Sequence, residues 1–253
     1  SADAPPPRDH EFALDVEVTE RLEALARDNS TTMSTVVQFA WAVFLSRLTG
    51  TRTVTFAETV SGRSPEIEGI ESMVGMFINT IPAVVDVDPP DATVVDVLTA
   101  VQNDKVKVLD HQQIGLPMLA AQTGLPALFD TLAVYESFPV NVDSVAGIDA
   151  SSAGGLKLIG AKTSDATHYP LNLSASRRGA ELALKIKYLP TAFAPEQVAV
   201  FADVLSELLG AIADGPDATC AELPLLSGEA GVALTPVTGG PAADPVTLTD
   251  LFR

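Results

Sequence analysis

The sequence predicts an α/β (α+β) two-layer sandwich, a mixed sheet covered by helices. Three observations lead there. Segments with apolar residues three and four apart, the helical period, recur from the first fifth of the chain to its last. Shorter runs rich in β-branched residues lie between them, bounded by Gly, Pro, Asp and Asn. Hydrophobic residues make up 47% and charged residues 19% of 253 positions, so a sizeable core can form and the length fits one or two domains.

Ser1 to Asp9 reads as a linker, because Pro5-Pro6-Pro7 favours extended backbone. A first helix is expected over Glu20–Asn29, capped by Thr19, with Leu22, Leu25 and Ala26 on one face. A second is expected over Thr35–Leu48, capped by Ser34 and ended by Gly50. It is apolar over most of its surface, so it belongs deep in the core. Thr53–Thr59 and Ile81–Val87 read as strands, the latter placing Val84 and Val85 on opposite sides. Thr93-x-x-Asp96 has the capping-box pattern with Asp in place of Glu, and opens a helix to Gln112. Along that helix run Val94, Val97, Leu98, Val101, Lys105 and Val108. Gly124–Phe129 reads as a loop, followed by strands at Leu132–Tyr135, Leu156–Ala161, Leu171–Ser176 and Leu182–Tyr188. Arg177-Arg178-Gly179-Ala180 suits a hairpin turn between the last two. Pro195 suits the first turn of a last helix to Ile212, and Leu223–Ser227 a short anchored strand. Beyond Gly228 the composition is that of a linker.

The net charge is −18, from 15 basic and 33 acidic residues. Nucleic acid and anionic membrane surfaces are therefore poor partners. No apolar run approaches the roughly 20 residues of a membrane helix, and a cytoplasmic location is expected. A single cysteine, Cys220, allows no internal disulfide. There is no GxGxxG, P-loop or GxSxG motif, and one Cys with three scattered histidines makes no zinc site. His111 near a helix C-terminus gains from the helix dipole, and His168 lies at a strand start. Asp130 suits a turn that bonds backbone amides, and Glu136 ends a strand.

Five segments remain. Thr59-Val60-Ser61-Gly62-Arg63 sets a polar turn after an apolar strand. Val74-Gly75-Met76-Phe77-Ile78-Asn79-Thr80 interrupts an apolar run with an Asn-Thr pair, which costs free energy unless it is satisfied. His111-Gln112-Gln113-Ile114-Gly115-Leu116-Pro117, Leu128 to Glu136 and His168-Tyr169-Pro170-Leu171 follow. In this order they resemble the C-terminal lobe of the condensation domains of nonribosomal peptide synthetases. The matches are to that family's SGR turn, its (I/V)GxFVNT motif with Ile78 for Val, its (H/N)QDxPF motif with Gln113 for Asp and an imperfect Leu116-Pro117, and its FDxxxVYE segment. Thr32 to Ala42 resembles the family's buried helix, and Pro65 to Glu71 the loop after the turn. Thr247-Leu248-Thr249-Asp250-Leu251-Phe252 is similar to the first helix of an adenylation domain. The family's catalytic HHxxxDG has no counterpart, since the chain contains no His-His pair.

The resemblance implies an inter-lobe linker over 1–9, a condensation-domain C-terminal lobe over 10–227, and a linker with the start of an adenylation domain over 228–253. It implies a fold like chloramphenicol acetyltransferase, two lobes in a V with a tunnel between them. Carrier-bound acyl donor and amine acceptor would enter from opposite ends on phosphopantetheine arms, and no cofactor or metal would bind this chain directly. The second His of HHxxxDG, on the partner N-terminal lobe, would position or deprotonate the amine, so this lobe alone is expected to be inactive. Implied partners are that lobe, peptidyl carrier proteins and an adjacent adenylation domain. Ser61, Arg63, Asn79 and Thr80 are the candidate tunnel residues, with His111, Gln112, Asp130 and His168 as further motif positions. Each has a structural alternative: Asn79 can bond a neighbouring loop, Arg63 can pair with Glu66 or Glu68, and Ser61 can form a turn. A non-catalytic docking domain that recruits a tailoring enzyme or carrier protein is the other function the resemblance allows. The Phe77-Ile78-Asn79-Thr80 sequence speaks against an epimerization or heterocyclization relative.

Overall fold

The computed structural model describes residues 5–63, 67–87, 89, 91–125, 127–136 and 169–224. The elements are β1 (Arg8–Leu14), α1 (Val16–Asp28), α2 (Met33–Thr49), β2 (Thr53–Val60), β3 (Asn79–Asp86), α3 (Val94–Val108), α4 (Leu116–Thr123), β4 (Thr131–Glu136), β5 (Leu171–Arg178), β6 (Glu181–Tyr188) and α5 (Pro195–Asp214). The strands form one mixed sheet in the order β1-β6-β5-β4-β2-β3. β2, β4 and β5 run parallel, while β3, β6 and β1 pair antiparallel.

Strand alternation decides which face is covered. Leu171, Leu173 and Ala175 of β5 and Leu182, Leu184 and Ile186 of β6 point into the core. α2 lies deepest: Trp41, Phe39 and Phe44 are buried, Trp41 stacks on Phe44 at 5.2 Å, and Phe44 meets Phe201 of α5 edge-on at 5.2 Å. α1, α3 and α5 pack around α2 in the same core. Pro82 sits in β3, an edge strand, where a missing N–H breaks no interior ladder.

Several boundaries differ from the sequence expectation. Arg8 and Asp9, read as linker, open β1, because β6 supplies a partner edge that no local pattern announces. Thr19 is no cap: α1 starts at Val16 behind Asp15. Thr19 is buried instead, its hydroxyl donating to the Asp15 carbonyl at 3.0 Å and accepting the Leu182 N–H at 3.0 Å. The cap of α2 is Thr32, not Ser34, and accepts from the Thr35 N–H. Gly50 does end α2 in the left-handed conformation. α3 closes at Val108 into a 3-10 turn rather than reaching Gln112, and α4 forms where no element was expected. The Thr93/Asp96 capping box is present. A second Thr-x-x-Glu clasp, Thr219/Glu222, faces it across a short antiparallel bridge that ties the 216–224 segment to the start of α3. Leu223 is buried there, but outside any strand; Leu156–Ala161 and everything from Leu225 lie outside the described residues.

Candidate functional site

β2 and β3 pair in register from Thr53 opposite Asp86 to Val60 opposite Asn79. That register puts the exit of β2, Ser61-Gly62-Arg63, beside the entry of β3, so two distant motifs meet at one end of the sheet. Gly62 has φ +62, and a Cβ there would overlap the Phe77 carbonyl oxygen. Only glycine permits both the left-handed backbone and that approach. The Arg63 guanidinium donates to the carbonyls of Ile70 and Met73, the latter at 3.1 Å, and lies over the Phe77 ring at 4.5 Å. Arg63 thus fastens the 67–78 loop at two carbonyls and a ring. Among the described residues it pairs with no carboxylate; Glu66 lies outside them.

Asn79 carries the third motif. Its side-chain amide donates to the Gln112 carbonyl at 2.8 Å and to the Ile114 carbonyl at 3.0 Å. The Gln113 side-chain amide donates back to the Gly62 carbonyl. The SGR turn, the GMFINT strand entry and the HQQIG segment therefore form one clasp, bonded mainly through backbone carbonyls. Both donors of Asn79 are committed to the loop, which leaves its amide oxygen as the group able to meet a ligand. Thr80 is on the opposite sheet face, since alternate residues of a strand point opposite ways. Ser61 is exposed, its hydroxyl accepting from the Arg63 N–H at 3.3 Å. The loop held by the clasp presents Val74, Met76 and Ile78 to solvent, the first two fully exposed.

The model of the condensation domain matches residues 7–235. The chain belongs to the condensation-domain family. A linear gramicidin synthase of Brevibacillus parabrevis is 34% identical over 222 residues, which cover 87% of this chain and 3% of that protein. Chondramide synthase cmdD of Chondromyces crocatus is 34% identical over 86% of this chain and 5% of its own length. Among solved structures, the first condensation domain of the CDA synthetase superposes with a TM-score of 0.70 at 21% identity, over 88% of this chain and 49% of that one. The X-domain in complex with OxyB from teicoplanin biosynthesis gives 0.69 at 18% identity, over 90% and 51%. These likenesses show the fold, the chloramphenicol acetyltransferase-like mixed sheet with helices. This condensation-family chain spans a few per cent of the curated synthases and about half of the solved condensation-domain chains.

Among the described residues, the side chains of His111 and Gln112 of this condensation-family chain make no hydrogen bond into the clasp. His111 is exposed at the end of the 3-10 turn, and its carbonyl accepts the Ile114 N–H at 3.1 Å. Gln112 contributes its backbone carbonyl. Asp130 is half-buried ahead of β4, beside a Phe129–Tyr169 ring contact of 5.6 Å. His168 lies outside the described residues. No group of three or more potential metal-ligating side chains gathers among the described residues, and no helix there is long and apolar enough to cross a membrane.

Sequence reasoning missed one charged cluster next to the clasp. Glu58 of β2 is buried, and its carboxylate accepts from the Gln38 amide at 2.8 Å and faces the Lys105 ammonium at 3.5 Å. Lys105 also donates to Gln38 Oε1 and Ser34 Oγ, each at 3.0 Å. Desolvation, the largest influence, lowers the Lys105 pKa, and the Glu58 charge opposes it. The cluster bolts α2, α3 and β2 together two residues before the end of β2. Its signal was Lys105 itself, a charged residue in an otherwise apolar row.

Proposed function

We propose that the chain is the C-terminal lobe of a condensation domain that joins carrier-bound substrates by an amide bond. The amine nitrogen of one substrate attacks the thioester carbonyl of the other. A C–N bond forms, the C–S bond breaks, and the pantetheine thiol leaves with the proton the amine gives up. Orientation of two tethered reactants supplies most of the rate advantage in such a reaction. The observation that carries this reading is the three-motif clasp, in a condensation-family chain about half as long as solved condensation domains. In this reading the clasp shapes one wall of the tunnel, with Ser61, Arg63 and Asn79 at its end, while Thr80, the fourth candidate, points to the other face of β3. Arg63 acts by holding the 67–78 loop, Asn79 offers its amide oxygen, and the Ser61 hydroxyl remains to meet the pantetheine arm or the substrate. The apolar loop tip at Val74 and Met76 packs against the N-terminal lobe. That lobe brings HHxxxDG, and carrier proteins and a following adenylation domain complete the set.

The test is turnover with one carrier loaded with an acyl thioester and a second with an aminoacyl thioester. The chain alone yields no amide. Joined to an N-terminal lobe of about 200 residues bearing an intact HHxxxDG, it does. Amide formed by the chain alone, or none formed by the joined protein, overturns the reading. A second reading, a docking module that recruits a tailoring enzyme, draws support from the likeness to the X-domain held by OxyB. It predicts a degenerate HHxxxDG in the joined lobe and capture of a tailoring enzyme without turnover.

A further inference from the structure

The sheet face turned away from the helices carries a cavity of about 120 Å³ across β4, β5, β6 and β1. Its lining includes Ser174, Ser176, Arg178, Lys185, Glu11 and Glu136, with Ala183 among the small residues. The register orders them. Glu136 stands opposite Ser176 and Ser176 opposite Ala183, while Ser174 stands opposite Lys185 and Lys185 opposite Glu11. The two cations thus sit on the central strands, over a bed of hydroxyls and a methyl group, with one carboxylate on each flanking strand.

Opposite charges directly across an antiparallel pair ordinarily join. One row away they do: Lys187 pairs with Asp9 at 3.8 Å. Lys185 and Glu11 hold the same relation and make no ion pair, and among the described residues no hydrogen bond or ion pair engages the side chains of Arg178 or Glu136. Lys185 is half-buried, while Arg178, Glu11 and Glu136 are exposed around it. Two cations and two carboxylates balance to no net charge. A bare anion is further disfavoured by the protein's charge of −18. We propose that this basin binds a small zwitterion of the α-amino-acid class, its oxyanion on Lys185 and Arg178 with the serine hydroxyls donating, its ammonium toward Glu11 or Glu136. The cavity has room for several waters or a ligand of a few heavy atoms. This inference rests on the sheet face and is independent of the function proposed above.

The experiment is an amide-resolved NMR titration of the full chain with glycine, acetate and methylammonium at constant ionic strength. Glycine is expected to shift the Ser174, Ser176 and Lys185 amides saturably, with acetate and methylammonium each at least tenfold weaker. Lys185→Gln and, separately, Glu136→Gln are expected to weaken glycine at least fivefold while the thermal transition stays put, which separates lost binding from lost folding. Absence of a saturable shift at these amides, acetate binding as tightly as glycine, or unaltered glycine binding in both variants overturns the proposal. None of these readouts uses amide-forming turnover, so failure here leaves the catalytic reading standing.

Discussion

Single positions decide the clasp. Gly62→Ala places a Cβ against the Phe77 carbonyl and forces an L-residue into left-handed backbone. The backbone cost alone is about 1–2 kcal/mol and overpacking adds about 1–3 kcal/mol. A loss of about 2–5 kcal/mol in urea unfolding is expected, and a loss under about 1 kcal/mol would mean that the Phe77 carbonyl moves freely. Asn79→Ala removes both donors from the Gln112 and Ile114 carbonyls, at about 1–3 kcal/mol. Hydrogen exchange at Ile114 to Leu119 is expected to accelerate in that variant, with the core strands β5 and β6 unchanged. Uniform acceleration across the sheet would instead mean that Asn79 supports the whole fold. The polar Asn in an apolar run was legible in the sequence as a residue in need of partners. Which partners it takes was not, because the carbonyls it reaches are 33 and 35 positions away.

Among the elements, α3 and β2 are joined by the Lys105–Glu58 pair. Burial holds the Lys105 pKa below its usual 10.5. Between that lowered value and 10.5 the unfolded chain binds the proton that the folded chain has released. Unfolding then takes up a proton, so stability rises with pH across that window. A plot of urea midpoint against pH is expected to show this rise, and Lys105→Met to flatten it. The same variant strands a buried carboxylate, a loss of about 3–5 kcal/mol. Adding Glu58→Gln is expected to restore much of it, since a neutral amide still bonds Gln38. If the double variant is as unstable as Lys105→Met, the stranded charge is not the cause. α4 shows the opposite case: none of its residues is buried, and Met118 is exposed. A helix with no apolar face in the core leaves no periodic trace, so the segment gave no sign of being helical.

For the molecule as a whole, the 67–78 loop and α4 leave Ile67, Met73, Val74, Met76, Ile78 and Met118 exposed. Large contiguous apolar patches on soluble monomers often mark interaction surfaces, and these exposed side chains are the candidates for one. Weak self-association of the chain is expected in sedimentation velocity at rising concentration, and Val74→Ser with Met76→Ser is expected to abolish it. A strict monomer at high concentration would show that these side chains do not form one sticky face.

The sequence by itself determined the layer architecture, the buried α2, a hairpin turn read over Arg177–Ala180 that the structure closes one residue later between Arg178 and Glu181, the capping box at Thr93 and the family. Each is carried by a local period, a short turn signal or an ordered set of motifs, and local signals survive in one dimension. Tertiary structure alone decided that β1 completes the sheet edge, that Thr19 is a core residue bonded to Leu182, that Lys105 answers Glu58, and that three motifs close into one clasp. In each of these the partner lies tens to more than a hundred residues along the chain, and only sheet pairing and the packing of helices and loops on the sheet bring the two together.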